Sequence, residues 1–156
     1  MKTYIWAFDL SLSCTGISIF DDDGSIVFIN SIDTRREEGH SGKLKYIADV
    51  ILPLKEIYKP SIAIIEKGFT RFNTSTQVIF RVHGLINYLF YDVKQVYYEA
   101  TMVKKTITGK GNVTKEELRD AIWRKYPAVV FSNLDESDSF AVGLCYLYEK
   151  GILSNA

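Results

Sequence analysis

The alternation of apolar and polar positions divides the chain into short strands followed by helices. Residues 4–9, YIWAFD, are apolar on both sides of an extended chain: Ile5, Ala7 and Asp9 share one face, and Tyr4, Trp6, Phe8 and Leu10 the other. A strand apolar on both faces is covered above and below, as at the centre of an α/β sheet. The pattern turns after Leu10 and resumes as a second strand over residues 15–20. Asp21-Asp22-Asp23-Gly24 then separates it from a third strand over 25–32. Asp-Gly between two apolar runs is a strong hairpin signal, so these three aspartates read as a turn rather than a metal site. Residues 34–42 are polar, with His40 expected at the surface.

From residue 41 the period becomes helical: Leu44, Ile47, Ala48, Ile51, Leu54 and Tyr58 recur at helix spacing. Pro53 is expected to kink or end that helix. Residues 61–66, SIAIIE, are short and continuously apolar, which fits a buried parallel strand reached by a helical crossover. A polar loop over 67–74 leads into a predicted helix over 74–91, with Val78, Val82, Leu85, Ile86 and Leu89 on one stripe. Ile79, Phe80 and Phe90 fall outside the stripe, which predicts a second buried surface against a partner helix or a second copy. His83 reads as a packed or hydrogen-bonded side chain. A fifth strand over 95–98 and a short helix over 100–106 follow. Gly109-Lys110-Gly111-Asn112 is a loop whose glycine spacing matches no phosphate-binding loop. Thr114 and Glu117 form a capping box for a helix that ends near Tyr126, before Pro127. A last helix is predicted over 133–151, its stripe running through Ala141, Leu144, Cys145, Tyr148 and Ile152. The order β-β-β-α-β-α-β-α-α-α is that of an α/β fold. Its five-stranded mixed sheet has three antiparallel N-terminal strands, then parallel strands, flanked by helices.

Composition changes this picture little. At 156 residues the chain reads as one domain over 1–156, able to bury a substantial core. A hydrophobic fraction of 47% makes it globular rather than disordered. The net charge of +0 does not argue for nucleic acid, yet leaves room for a basic face beside an acidic site. Cys14 and Cys145 lack metal-ligand or CxxC spacing and read as reduced thiols of a cytoplasmic protein. Asp9 interrupts the N-terminal apolar run, against a signal peptide. No run approaches the ~20 apolar residues of a membrane span.

Candidate chemistry rests on acids. Asp9 stands where a buried strand would carry Val or Ile; it either caps the turn towards Ser11 and Ser13 or binds a cation. Glu66 ends the fourth strand, where α/β sheets place ligands, or is simply exposed there. Extending the last helix's stripe backwards reaches Asp138 and then Asp135. Asp135 is also explained by capping and the helix dipole; Asp138 should face inward. With the first and fourth strands parallel neighbours and the last helix across the sheet, all four acids converge. Carboxylates packed so closely raise one another's pKa unless cations lie between them. All-oxygen ligands select hard ions, Mg²⁺ or Mn²⁺. Two such ions support phosphodiester hydrolysis by activating water and stabilising the leaving oxygen. Lys115 occupies the first turn of its helix, where the dipole disfavours a cation; it is either solvated or faces an anion such as phosphate or an acidic site.

Phe8-Asp9-Leu10-Ser11 through Thr15-Gly16, Ala63-Ile64-Ile65-Glu66 with Phe69, Val103-Lys104-Lys105-Thr106 with Gly109, Gly111 and Lys115, and Asp135-Glu136-Ser137-Asp138-Ser139-Phe140-Ala141 occur in one order along the chain. In that order they resemble the RuvC family of Holliday junction resolvases, within the ribonuclease H and retroviral-integrase superfamily. The resemblance implies a ribonuclease H-like fold and metal ligands at Asp9, Glu66, Asp135 and Asp138. It implies active-site or DNA-contacting lysines at Lys104 and Lys115, and a Phe69 that stacks on or wedges into bases. Lys67, Arg71, Lys105, Lys110 and Arg119 are then candidates for backbone contacts that position DNA. The implied protein is a Mg²⁺-dependent homodimer, with Mn²⁺ able to substitute and two ions per site. It cuts branched DNA (four-way junctions and forks), uses no nucleotide cofactor, touches no membrane and works in the cytoplasm of a bacterium or a phage-infected one. Leu10-Ser11 stands where the family has Pro-Gly, which points to a divergent member such as a phage would encode. Rival readings are a fork, flap or RNA–DNA hybrid nuclease of the same fold and a non-catalytic module that binds branched DNA. A third is a phosphotransferase of the actin and sugar-kinase type, whose first phosphate motif Asp-Leu-Ser-x-x-x-Thr-Gly faintly resembles.

Overall fold

The structure, a computed structural model, describes residues 1–68 and 74–156, with residues 74 and 75 described by their backbone. β1 (Tyr4–Asp9), β2 (Cys14–Phe20) and β3 (Ile26–Asp33) form an antiparallel meander. α1 (Gly39–Ile57) crosses to β4 (Pro60–Glu66), which lies parallel to β1, and α2 (Thr74–Leu89) crosses to β5 (Lys94–Tyr98), parallel to β4. α3 (Ala100–Thr108), α4 (Lys115–Lys125) and α5 (Leu134–Glu149) complete the chain. The sheet order is β3-β2-β1-β4-β5, so β1 is the central strand and both of its faces are covered. No described helix is long and apolar enough to cross a membrane.

The two faces of β1 seed two cores. Trp6, Phe8 and Leu10 join Ile47 and Ile51 of α1 and Val82 and Ile86 of α2. Ile5 and Ala7 join Val103 of α3, Leu118 and Ile122 of α4 and the α5 residues from Phe140 to Leu147. Trp6, Phe8 and Phe90 are fully buried and pack with ring centroids 5.2–5.9 Å apart. Burial of each such ring contributes on the order of 1.5–3 kcal/mol. The Trp6 indole N–H is satisfied by the Tyr58 carbonyl at 2.7 Å.

Of the two outcomes expected at Pro53, a kink or an end, the helix end does not occur: α1 continues to Ile57. Pro53 and Asp49, whose carbonyl loses its donor, are both exposed, so water can take the freed group. One expectation is corrected. Phe90 does not belong to an outer surface of α2: the helix stops at Leu89, and Phe90 turns into the core beside Trp6. Phe80 does remain 44% exposed. The Asp21–Gly24 segment forms the expected hairpin turn, with Gly24 at φ 87° and the Asp21 N–H donating to the Ser25 carbonyl at 2.8 Å.

α5 reaches the sheet through a stripe without bulk. A Cβ on Gly16 would lie 2.0 Å from the Asp135 carbonyl oxygen, and one on Gly143 2.3 Å from the Phe20 ring. Between these points the Ser18 and Ser139 hydroxyls bond at 2.7 Å. Positions 16, 18 and 20 of β2 thus meet 135, 139 and 143 of α5. The match is geometric, because two strand residues rise ~6.8 Å and four helix residues ~6 Å. Buried from Glu136 to Cys145, α5 is the central helix of the molecule rather than a one-sided amphipathic one.

Candidate active site

Asp9 and Glu66 close β1 and β4. Phe8 pairs with Ile65 in the parallel register, so the two acids emerge side by side at the carboxyl ends of neighbouring strands. Both lie on the face that carries Ile5, Ala7, Ile62 and Ile64, the face on which α5 packs. The seat of α5 on Gly16 decides what sits above them, since Gly16 is the cross-strand partner of Asp9. It brings the first turns of α5, with Asp135 and Asp138, over the ends of β1 and β4. Asp9 is 9% exposed and Asp138 6%; Glu66 and Asp135 are half-buried.

Lys115 completes the group. Its ammonium lies 2.9 Å from Asp138 Oδ2 and 3.9 Å from Asp135 Oδ1. The capping box fixes it there: the Glu117 N–H donates to Thr114 Oγ1 at 3.1 Å and the Thr114 N–H to Glu117 Oε2 at 2.9 Å. The cation in the first turn of α4 therefore faces an anion, and the anion is this acidic site. A cavity of about 250 Å³ opens beside it, lined by Glu66, Thr101, Lys104, Lys115 and Asp138.

The electrostatics are those of anions crowded out of water. Burial raises the Asp9 carboxyl well above its ordinary range, and the charges of Glu66 and Asp138 push it further. Burial and Asp138 likewise raise Glu66, against a hydrogen bond with Asp9 and the charges of Lys115 and Lys104. Asp138 is raised by burial despite its bond to Lys115. Lys115 itself is raised: burial pulls it down, but Asp138, Asp9 and Asp135 outweigh that. Both partners of the Lys115–Asp138 pair thus move up, because one half-exposed ammonium does not offset the desolvation of a buried acid.

These residues fit a hard cation. Asp138 Oδ1 is buried and accepts no hydrogen bond, an arrangement that costs free energy unless a cation or water is supplied. Asp9 and Glu66 supply further oxygens next to it, and an all-oxygen set favours a hard ion. The Cys14 thiol lies beside Asp135, but burial and the Asp135 charge raise it to about 11 and keep it protonated, a poor metal ligand. Asp9 and Glu66 are in contact, while Asp135 and Asp138 face them from α5. Among the described residues, the group of three whose oxygens come within 4.8 Å of one another is Asp21, Asp22 and Asp23, in the surface hairpin.

The other residues singled out from the sequence lie around this centre. Lys104 is on α3 at the cavity wall, while its neighbour Lys105 is exposed, about 100° further round the helix. Lys67 follows Glu66 and pairs loosely with Glu99 at 3.7 Å. Lys110 is exposed in the loop after α3. Arg119 is tied to Asp120 at 3.1 Å and lies over the Trp123 ring. Phe69 and Arg71 lie outside the described residues. Sequence reasoning passed over two residues that shape the site, Gly16 and Glu136. Glycine and serine alternating with Ile17 and Ile19 was a readable sign of a close approach on one face of β2. Nothing local marked Glu136, which stands between the candidate ligands Asp135 and Asp138, as buried.

The family profile described as crossover junction endodeoxyribonuclease RuvC matches residues 5–146. The chain belongs to the RuvC family. The RuvC of Ehrlichia chaffeensis is 29% identical over 151 residues, covering 94% of this chain and 97% of that protein. The RuvC of a Wolbachia species is 28% identical over 155 residues, covering 95% and 96%. Thermus thermophilus RuvC, solved in complex with a Holliday junction substrate, superposes with a TM-score of 0.81 at 15% identity, over 95% of this chain and 94% of that one. The Fowlpox virus resolvase in its Holliday junction complex gives 0.66 at 17% identity, over 95% and 99%. RuvC membership fixes the ribonuclease H-like fold and the class of reaction, hydrolysis of DNA with a divalent metal. It does not favour the phosphotransferase or purely DNA-binding alternatives.

Proposed function

We propose that this chain acts as a single-domain, homodimeric Holliday junction resolvase whose Asp9, Glu66, Asp135 and Asp138 hold two Mg²⁺ ions, with Mn²⁺ able to replace them. The observation that carries the reading is the buried, unsatisfied Asp138 Oδ1 above the paired strand-end acids Asp9 and Glu66. When bound, the metals supply a nucleophilic water and neutralise charge on the scissile phosphate. The chain's own groups do the rest. The four acids fix the position of the ions relative to the sheet. Lys115, released from Asp138 as metal enters, and Lys104 at the cavity wall hold the phosphate oxygens. The product ends are a 5′-phosphate and a 3′-hydroxyl. Lys67, Lys105, Lys110 and, once freed from Asp120 and Trp123, Arg119 bind the backbones of the junction arms, while Phe69 and Arg71 contact bases and phosphates at the crossover. The setting is the cytoplasm of a bacterium or of one infected by a phage that encodes the protein.

The test is cleavage of labelled substrates by wild type and Glu66→Gln with Mg²⁺, Mn²⁺ or chelator. Paired, symmetric nicks in a four-way junction are expected from the wild type with either metal. Chelated wild type and the variant should bind the junction without cutting it. Faster cleavage of an RNA–DNA hybrid or a fork than of the four-way junction would replace this reading with that of another nuclease of the same fold.

A further inference from the structure

Glu136 stands between two candidate metal ligands yet points away from them. It is 4% exposed, and among the described residues it forms no ion pair with a lysine or arginine. Neutral donors hold it: Oε1 accepts the Ser132 N–H at 3.0 Å and Oε2 accepts the Ser31 hydroxyl at 3.1 Å. Ser31 in turn accepts from Asn133 Nδ2 at 2.7 Å, and Asn133 Oδ1 caps α5 by accepting the Glu136 N–H at 3.0 Å. Glu136, Ser31 and Asn133 close a part-buried ring of hydrogen bonds between β3 and the start of α5, with the exposed Ser132 as a further donor. Such networks are rigid when fully satisfied and costly when broken.

The place of the ring in the sheet gives it a consequence for the site. Ser31 is the cross-strand partner of Gly16, and Gly16 of Asp9. One line across three strands therefore runs from the latch, under the Asp135 carbonyl, to the candidate ligand at the end of β1. Gly16 sets how closely α5 approaches, but a bare backbone contact does not stop the helix end from lifting or turning. The Glu136 latch supplies that constraint on the side of α5 opposite Asp138 and Lys115. Resting on the metal-binding reading of the acidic site, we propose that Glu136 is a positioning residue for the metal centre: latched to Ser31 and Ser132, it holds Asp135 and Asp138 in register with Asp9. Groups that orient metal ligands without touching the metal typically change affinity 10–100-fold when removed.

The experiment measures Mn²⁺ binding by calorimetry on the full chain, together with thermal melts. The variants are Glu136→Ala, Glu136→Gln, Ser31→Ala and, as a control in the opposite core, Ile51→Val. Expected are affinities weakened about tenfold or more in Glu136→Ala and Ser31→Ala. Glu136→Gln keeps the length and an acceptor for the Ser132 N–H, and its amide N–H can donate to a Ser31 hydroxyl turned to accept, so it should recover most of the loss. Ile51→Val should lower the melting temperature and leave Mn²⁺ affinity at the wild-type value. Should Glu136→Ala fail to fold, Ser31→Ala, which removes a single hydroxyl, carries the same test. Wild-type affinity in folded Glu136→Ala and Ser31→Ala overturns the latch and leaves the metal reading intact. Absence of Mn²⁺ binding in the wild type overturns both.

Discussion

Asp138 is the residue at which stability and activity oppose each other. Without metal, one of its oxygens is buried and unmatched, and Asp9, Glu66 and Asp138 all resist ionisation. A carboxyl whose pKa is raised by folding is more protonated in the native state than in the unfolded chain. Through the window from the ordinary carboxylate range up to the raised values, the native state therefore binds more protons, and stability falls as pH rises. Asp9→Asn, which removes one charge from this group without removing its volume, should raise the melting temperature of the metal-free protein near neutral pH and flatten its decline through that window. Mg²⁺ should stabilise the wild type in turn: at a hundred times the dissociation constant, by about 2.7 kcal/mol. For a chain of this size that is a shift of roughly 5–10 °C. A metal-free Asp9→Asn that melts below the wild type at neutral pH, as calorimetry would show, contradicts the assignment of strain to these acids. A second prediction at this scale concerns Gly16. Its substitution by Ala puts a methyl group 2.0 Å from the Asp135 carbonyl oxygen, which only movement of backbone can relieve. Overpacking against rigid atoms costs about 1–3 kcal/mol, and the displaced helix end should also lose Mg²⁺-induced stabilisation.

Among the elements, α4 has a short role that its capping box makes measurable. Thr114 and Glu117 fix the first turn, and Lys115 is the first residue of the helix, aimed at Asp138 and Asp135. Thr114→Ala removes the acceptor of the Glu117 N–H and should cost about 1 kcal/mol. Because fraying begins at Lys115, junction cleavage at saturating metal should fall more than in a variant equally destabilised elsewhere, a comparison that single-turnover assays make directly. This is also the scale at which the sequence was most and least informative. The period of two in β1 and β4 placed Asp9 and Glu66 at strand ends on one face, and the helical period of α5 led back to Asp138. Those signals are local, because a residue's face follows from its neighbours along the chain. The latch of Glu136 onto Ser31 and the seat of Asp135 on Gly16 join positions more than a hundred residues apart, and no periodicity carries that information. Phe90 was misread for a related reason, and the choice left open at Pro53 could not be narrowed. Whether a helix continues past proline depends on which side meets water, and where α2 stops depends on the pocket beside Trp6.

For the whole molecule, the acidic site is half of a device if two copies act on one junction. A four-way junction has near two-fold symmetry, and two sites related by a two-fold axis reach matching phosphates on opposite strands. One site alone leaves a nick that does not separate the arms. The consequence is testable by mixing. Wild type combined with an excess of Asp138→Asn and allowed to exchange subunits should leave most wild-type protomers in mixed dimers, each carrying one competent site. On a junction labelled in all strands these should produce single nicks, with the fraction of paired nicks falling as the square of the wild-type share while total nicking falls only in proportion. A monomer acting twice in succession gives the opposite result: excess variant slows cutting by competing for junctions but leaves the ratio of paired to single nicks unchanged once each junction has been turned over. Salt separates the two further. If phosphate contacts from Lys67, Lys104, Lys105 and Lys110 are doubled in a dimer, the logarithm of affinity should fall against the logarithm of salt with a slope set by both protomers' contacts, roughly 0.9 per phosphate neutralised.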